Sequence, residues 1–211
     1  MIEAAIKILI TIALTLVVLA SGGLLFINSG LYNMGADTPH WPLTHDMISM
    51  LRDRSIAKAS ADLQPPDLED AKLVSKGAGQ YAAMCTGCHL APGMLKSEIR
   101  PGLYPLPPNL SQVRVDPKVA FWAIKHGIKM SAMPAWGAGH DDATIWSIVA
   151  FVRRLPHLDA AQYKDIVDKA PPDDDMEDMN MNDKATPGDK KSPSTFQQKQ
   201  GIDKGALRDP K

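Results

Sequence analysis

The chain has 211 residues, 45% of them hydrophobic and 22% charged, with a net charge of −1. Those proportions are ordinary for a globular protein and exclude the concentrated basic face that nucleic-acid binding requires. The charge is nonetheless uneven: residues 70–160 hold ten Lys/Arg against six Asp/Glu, while both flanks are acidic overall, a layout that suits electrostatic docking more than a catalytic field.

Residues 8–27, ILITIALTLVVLASGGLLFI, run for 20 positions without a charge. As a helix this stretch spans about 30 Å, the hydrocarbon thickness of a bilayer. A cleaved signal peptide is the alternative, because Val18 and Ala20 supply small residues before a cut after Ala20. The run continues through Leu24, Leu25, Phe26 and Ile27, longer than a signal peptide needs, which favours a retained anchor over residues 1–30. The following segment, 31–69, reads as an interfacial collar and a stalk. Tyr32 and Trp41 are of the types that sit at headgroup level. From Thr44 a helix is predicted with Met47, Ile48, Leu51 and Ile56 near one face, as a brace or as a docking helix for a membrane subunit. Gln64-Pro65-Pro66-Asp67 ends it.

Residues 70–160 must carry the packed core, and no stretch there alternates with strand period, so the domain is predicted to be all-α. One helix is expected over about 68–83. A second starts at Asp116-Pro117, an N-cap and first-position pair, and ends near Gly127. A third follows Asp141-Asp142, places Ile145, Ile148, Val149 and Val152 on one face, and stops at Leu155-Pro156. A core of this size is marginal and would gain from a staple or a bound group. Residues 161–211, with blocks of like charge and few apolar side chains, are predicted to be a disordered tail. Met176, Met179 and Met181 lie among its acidic residues; thioethers suit Cu(I), but incidental methionines in an acidic linker are the favoured reading.

The chain's two cysteines fall in Cys85-Thr86-Gly87-Cys88-His89, the C-x-x-C-H attachment signature of c-type haem. Two thiols at this spacing can each add to a haem vinyl group, and the adjacent histidine is carried under the iron. A thioredoxin-like pair would want a βαβ setting, and a zinc site would want two further ligands. For the sixth iron position the candidate is Met133, on a loop that Pro134 keeps from being helical. Met130 is its rival, His126 and His140 are further possibilities, and core packing is the ordinary role of a methionine.

Residues 70–158 resemble a class I cytochrome c, and IKHGIKMSAMPAWG resembles the axial-methionine segment of that family's bacterial, membrane-anchored members. The resemblance implies a small fold of three main helices around one covalent haem c. It implies Cys85 and Cys88 as thioether sites, His89 and Met133 as axial ligands, the Pro108 carbonyl as acceptor for the His89 ring, and Trp136 near a haem propionate. Gly77 and Tyr81 on the first helix would meet the C-terminal helix, which offers Trp146 and Phe151. The function implied is electron transfer without catalysis, because His/Met ligation fills both axial positions. The expected setting is a bacterial inner membrane, with lipid around the N-terminal helix and the haem domain in the periplasm. There it would carry single electrons from a donor dehydrogenase or quinol-oxidising complex to an acceptor oxidase or reductase. The alternative is a fixed cytochrome subunit of such a complex.

Overall fold

The computed structural model of the chain describes residues 1–172; Met176, Met179, Met181 and the tail from residue 173 lie outside them. Regular structure among the described residues is entirely helical. It comprises α1 (Ile2–Asn28), α2 (Pro42–Ser60), α3 (Ala71–Met84), the one-turn α4 (Thr86–His89), α5 (Pro117–His126), α6 (Asp142–Arg154) and α7 (Ala160–Asp168). Aspartates start four of these helices. Asp70 accepts from the Lys72 N–H, Asp116 from Lys118 and Val119, and Asp141 from Thr144. Asp159 accepts from Gln162, whose side chain reaches back to the Asp159 N–H in a full capping box. The Asp70 cap explains why α3 begins at Ala71 rather than near Leu68.

Helix α6 is the centre of the domain: every residue from Ile145 to Val152 except Trp146 is buried. Helix α3 crosses it at Gly77, where a β-carbon would fall inside the van der Waals shell of the Ser147 carbonyl. Only glycine permits this approach. One turn on, Tyr81 packs against Phe151 with ring centroids 5.7 Å apart. Trp146 does not join them; it stacks on Phe121 of α5 at 4.1 Å, tying α5 to α6. The two aromatic partners expected for α3 therefore divide between its crossing and a second one.

Helix α7 corrects the predicted boundary at 160: residues expected to begin a disordered tail are helical. Tyr163, Ile166, Val167 and Ala170 recur at i, i+3, i+4 and i+7 and pack on the core, with Tyr163 6.0 Å from Phe151. Charged Lys164, Asp165, Asp168 and Lys169 pair with one another on the outer side, and they mask the stripe in a composition-based reading. Helix α2 needs a second correction. Met47 and Leu51 are exposed while Ile56 is buried, because nine residues separate Met47 from Ile56 and turn the helix through half a revolution.

Every residue of α1 is exposed, and the helix is long and apolar enough to cross a membrane. After it, Trp41 packs back on Phe26 at 5.9 Å and on Tyr32 at 5.0 Å. The Tyr32 hydroxyl shares a 2.8 Å hydrogen bond with His40 Nδ1. The His40 ring meets Tyr104 edge-on at 5.1 Å, and its backbone N–H donates to the Tyr104 hydroxyl at 3.2 Å. The collar is thus clipped to the loop between α4 and α5.

Gly77→Ala tests the crossing. The added carbon should force α3 from α6 and lower stability by about 1–3 kcal/mol, read as a fall in thermal midpoint. The same change at Gly102, which has open space around it, should leave the midpoint nearly unchanged.

Candidate functional site

The cysteine–histidine motif occupies the bend at the end of α3: Cys85 caps that helix and α4 follows at once. The bend is held by specific bonds. The His89 N–H donates to the Cys85 carbonyl at 2.8 Å and the Leu90 N–H to Thr86 at 3.0 Å. Leu90 has a positive φ of 61°, a conformation costing a branched residue about 1–3 kcal/mol. It is fixed by burial and by the Tyr81 hydroxyl, which donates to its carbonyl at 2.6 Å. Burial, with Cys85 and Tyr163 nearby, pushes the Tyr81 phenol well above its usual range, so it remains a donor throughout the physiological range. A residue expected only to pack across a helix crossing also pins the chain one step beyond His89.

The His89 ring is half-buried, and its Nδ1–H donates to the Pro108 carbonyl at 3.0 Å. A carbonyl accepts only, so the bond sets the tautomer and leaves the Nε2 lone pair available to a metal. Burial holds this imidazole below its usual range; the Pro108 bond opposes that shift and the nearby Arg100 charge adds to it. The neutral form is the one that ligates. Cys85 and Cys88 are free, half-buried thiols. Burial and the adjacent Cys88 push the Cys85 thiol up to about 12, the reverse of the depressed value that makes an attacking cysteine in a disulfide-exchange pair.

The loop from Leu90 to Leu110 is bound to the motif at several points. Ser97 donates to the Gly87 carbonyl at 2.5 Å, and the Leu110 N–H donates to the His89 carbonyl at 3.2 Å. Arg100 donates through its terminal nitrogen to the Pro107 carbonyl at 2.9 Å, one residue before the acceptor for His89. Its Nε is buried without a hydrogen-bond partner, and its guanidinium pairs with no carboxylate among the described residues. The sequence reading did not single out Arg100, since an arginine in a Pro- and Gly-rich loop carries no motif. Its half-buried charge beside His89, without a carboxylate among the described residues, is the structural signal.

Past α5 the chain turns at Gly127, whose φ is 65° and where a β-carbon would lie 2.7–2.8 Å from Met133, Pro134 and Ala135 backbone atoms. The Ile128 N–H donates to the Met133 carbonyl at 3.1 Å, and the Met133 N–H to the Ser131 hydroxyl at 3.2 Å. Within this turn the two methionines diverge. Met133 is half-buried and packs on the core, whereas Met130, at a positive φ of 57°, is 75% exposed. Trp136 is half-buried and its ring faces that of the buried His140 at 5.8 Å, while exposed His126 lies against Trp122 at 4.9 Å.

This donor set fits a covalent haem. Two free thiols lie on one short turn, a histidine has its tautomer fixed, and a guanidinium with no carboxylate partner among the described residues stands beside them to meet a carboxylate-bearing group. Residues 72–152 match the model of a family described as cytochrome c oxidase, cbb3-type, subunit III. No curated protein and no solved structure matches the chain. The all-helical domain, the C-x-x-C-H bend and the family match agree, and this part of the chain is a class I c-type cytochrome domain that binds haem c covalently and transfers electrons.

Proposed function

We propose that the chain is a single-pass, membrane-anchored carrier of single electrons, with its haem domain on the periplasmic side of a bacterial inner membrane. In this reading Cys85 and Cys88 would form the thioethers, and His89 and Met133 would ligate the iron. Haem c supplies the chemistry, one electron taken up or released at the iron. The chain's residues govern the setting. Pro108 orients His89 and raises its donor strength through the Nδ1–H bond. Met133, with its backbone bonded on both sides, would supply the second iron ligand. With both residues ligating, the iron would have no position left for oxygen, peroxide or substrate, and exchange with redox proteins would be the activity that remains. Trp136 and Arg100 would face the propionates. The observation that carries the ligand assignment is the contrast between half-buried Met133 and exposed Met130.

A second reading, a fixed subunit of an oxidase complex, is favoured by the family's description. Purification in mild detergent separates the two: a carrier comes away alone and a subunit brings partners.

The ligand assignment has a direct test. Met133→Ala should abolish the weak far-red charge-transfer band of iron–thioether bonding, lower the potential and open the iron to cyanide. Met130→Ala should do none of these. Loss of the band in Met130→Ala alone would reverse the assignment.

Attachment is tested on a denaturing gel stained for haem. The intact chain should keep its stain after acid-acetone extraction, and replacing both Cys85 and Cys88 with Ala should abolish it.

Removing the Arg100 cation should stabilise the ferric form. Arg100→Met is expected to lower the midpoint potential by on the order of 50 mV, about 1 kcal/mol of charge interaction at a part-buried site. Its dependence on pH should steepen, because a carboxylate freed of its cation titrates nearer neutrality. Arg100→Lys should restore part of both effects; an unchanged potential would reduce Arg100 to a tether for the Pro107 carbonyl.

A further inference from the structure

Helix α2 has two faces with different fates. Ser49 and Arg52 are half-buried and Ile56 and Ser60 are buried, all on the side toward the haem domain. The opposite side carries Leu43, Met47, Met50 and Leu51, exposed at 72%, 64%, 58% and 72%. At 3.6 residues per turn these four and the next two residues of the same face, Arg54 and Lys58, fall within an arc of about 100°. No acidic residue lies on that arc. Asp46 and Asp53 flank it, and Asp53 is already paired with Arg52 at 2.8 Å. Arg54 and Lys58 form no ion pair among the described residues. The face is therefore apolar for its first half and cationic for its second.

Its position identifies what meets it. Trp41, the residue before α2, packs on Phe26 in the last turn of α1. Helix α2 thus starts where the apolar helix ends, beside a collar of Tyr32 and Trp41, residue types that settle among lipid headgroups. A helix with an apolar stripe and cations on one side is the form that lies in a membrane surface, where its side chains enter the acyl boundary and its cations meet phosphates. A second copy of the chain is a poor occupant, since two such faces meeting would bring four uncompensated cations together.

We propose that α2 is a membrane-surface helix whose Leu43–Met47–Met50–Leu51 stripe and Arg54 and Lys58 rest on an anionic lipid surface, holding the haem domain down against the bilayer by the helix's other face. This rests on α1 crossing a bilayer, and the test separates the two ideas. Both native cysteines are taken by haem, so a single introduced cysteine can carry a nitroxide. The full-length holoprotein is placed in nanodiscs of phosphatidylcholine with phosphatidylglycerol and labelled at Met47→Cys, Leu51→Cys, Ala59→Cys or Leu16→Cys. Labels at 47 and 51 should collide with oxygen several-fold more than with a water-soluble nickel chelate, as the anchor label at 16 does. The label at 59, off the arc, should show the reverse.

Nickel access at 47 and 51 equal to that at 59, with 16 still in lipid, would overturn the surface helix and leave the anchor standing. Nickel access at 16 as well would remove the anchor reading and the inference with it. Shielding from both reagents, with spin–spin broadening, would mean a second copy covers the face and would likewise overturn it. Replacing Arg54 and Lys58 with Gln should reduce lipid exposure of the label at 51 in anionic discs and leave it unchanged in pure phosphatidylcholine. No change in the anionic discs would overturn the headgroup contact.

Discussion

At Gly77 the backbones of α3 and α6 approach so closely that no β-carbon fits between them, and the rest of the domain is arranged around that contact. It sets the angle at which α3 leaves the core, and α3 ends in Cys85. The same crossing brings Tyr81 against Phe151 and lets its hydroxyl reach the Leu90 carbonyl. A strained leucine next to His89 is tolerable only because a rigid pair of helices holds it. Packing on one side of the bend thus becomes side-chain geometry on the other.

The electrostatics of the site follow from burial more than from charge partners. The cysteine thiol is kept neutral, the histidine is kept neutral, and the tyrosine is kept protonated. Burial desolvates all three in the direction that disfavours ions. Against that background the Arg100 guanidinium stands out, because a charge half-removed from water without a counter-ion is costly. In the proposed reading, a haem's carboxylates would supply the missing counter-charge, and the cofactor would complete the charge balance of the loop as well as the core.

Much of this was legible in the sequence because the signals are local. C-x-x-C-H, the Asp116-Pro117 and Asp141-Asp142 helix starts and the uncharged run 8–27 each declare themselves within a few residues. Gly77 was legible for a different reason: the family resemblance implies that it and Tyr81 meet the C-terminal helix. What escaped depends on distance in the chain. Helix α7 was read as tail because its apolar stripe is short and its charges are many; only its contact with Phe151 gives it a reason to fold. Ile56 shares its predicted helix face with Met47 and Leu51 only approximately: nine positions on from Met47, the turn of the helix sends it the other way. Arg100 could not be seen at all without the placement of Pro107 and His89.

The clip between His40 and Tyr104 has a consequence for how electrons find their way in and out. A redox domain on a loose tether can swivel, presenting its haem edge in any direction and sweeping a hemisphere above the membrane. Here the collar grips the very loop that carries the acceptor for His89, so that freedom is lost at the root. With α1 in a bilayer, the clip would narrow the heights and azimuths the domain can take relative to its own anchor. Encounters then depend on lateral drift of whole proteins in the plane, and a partner must offer its entry point at a matching elevation.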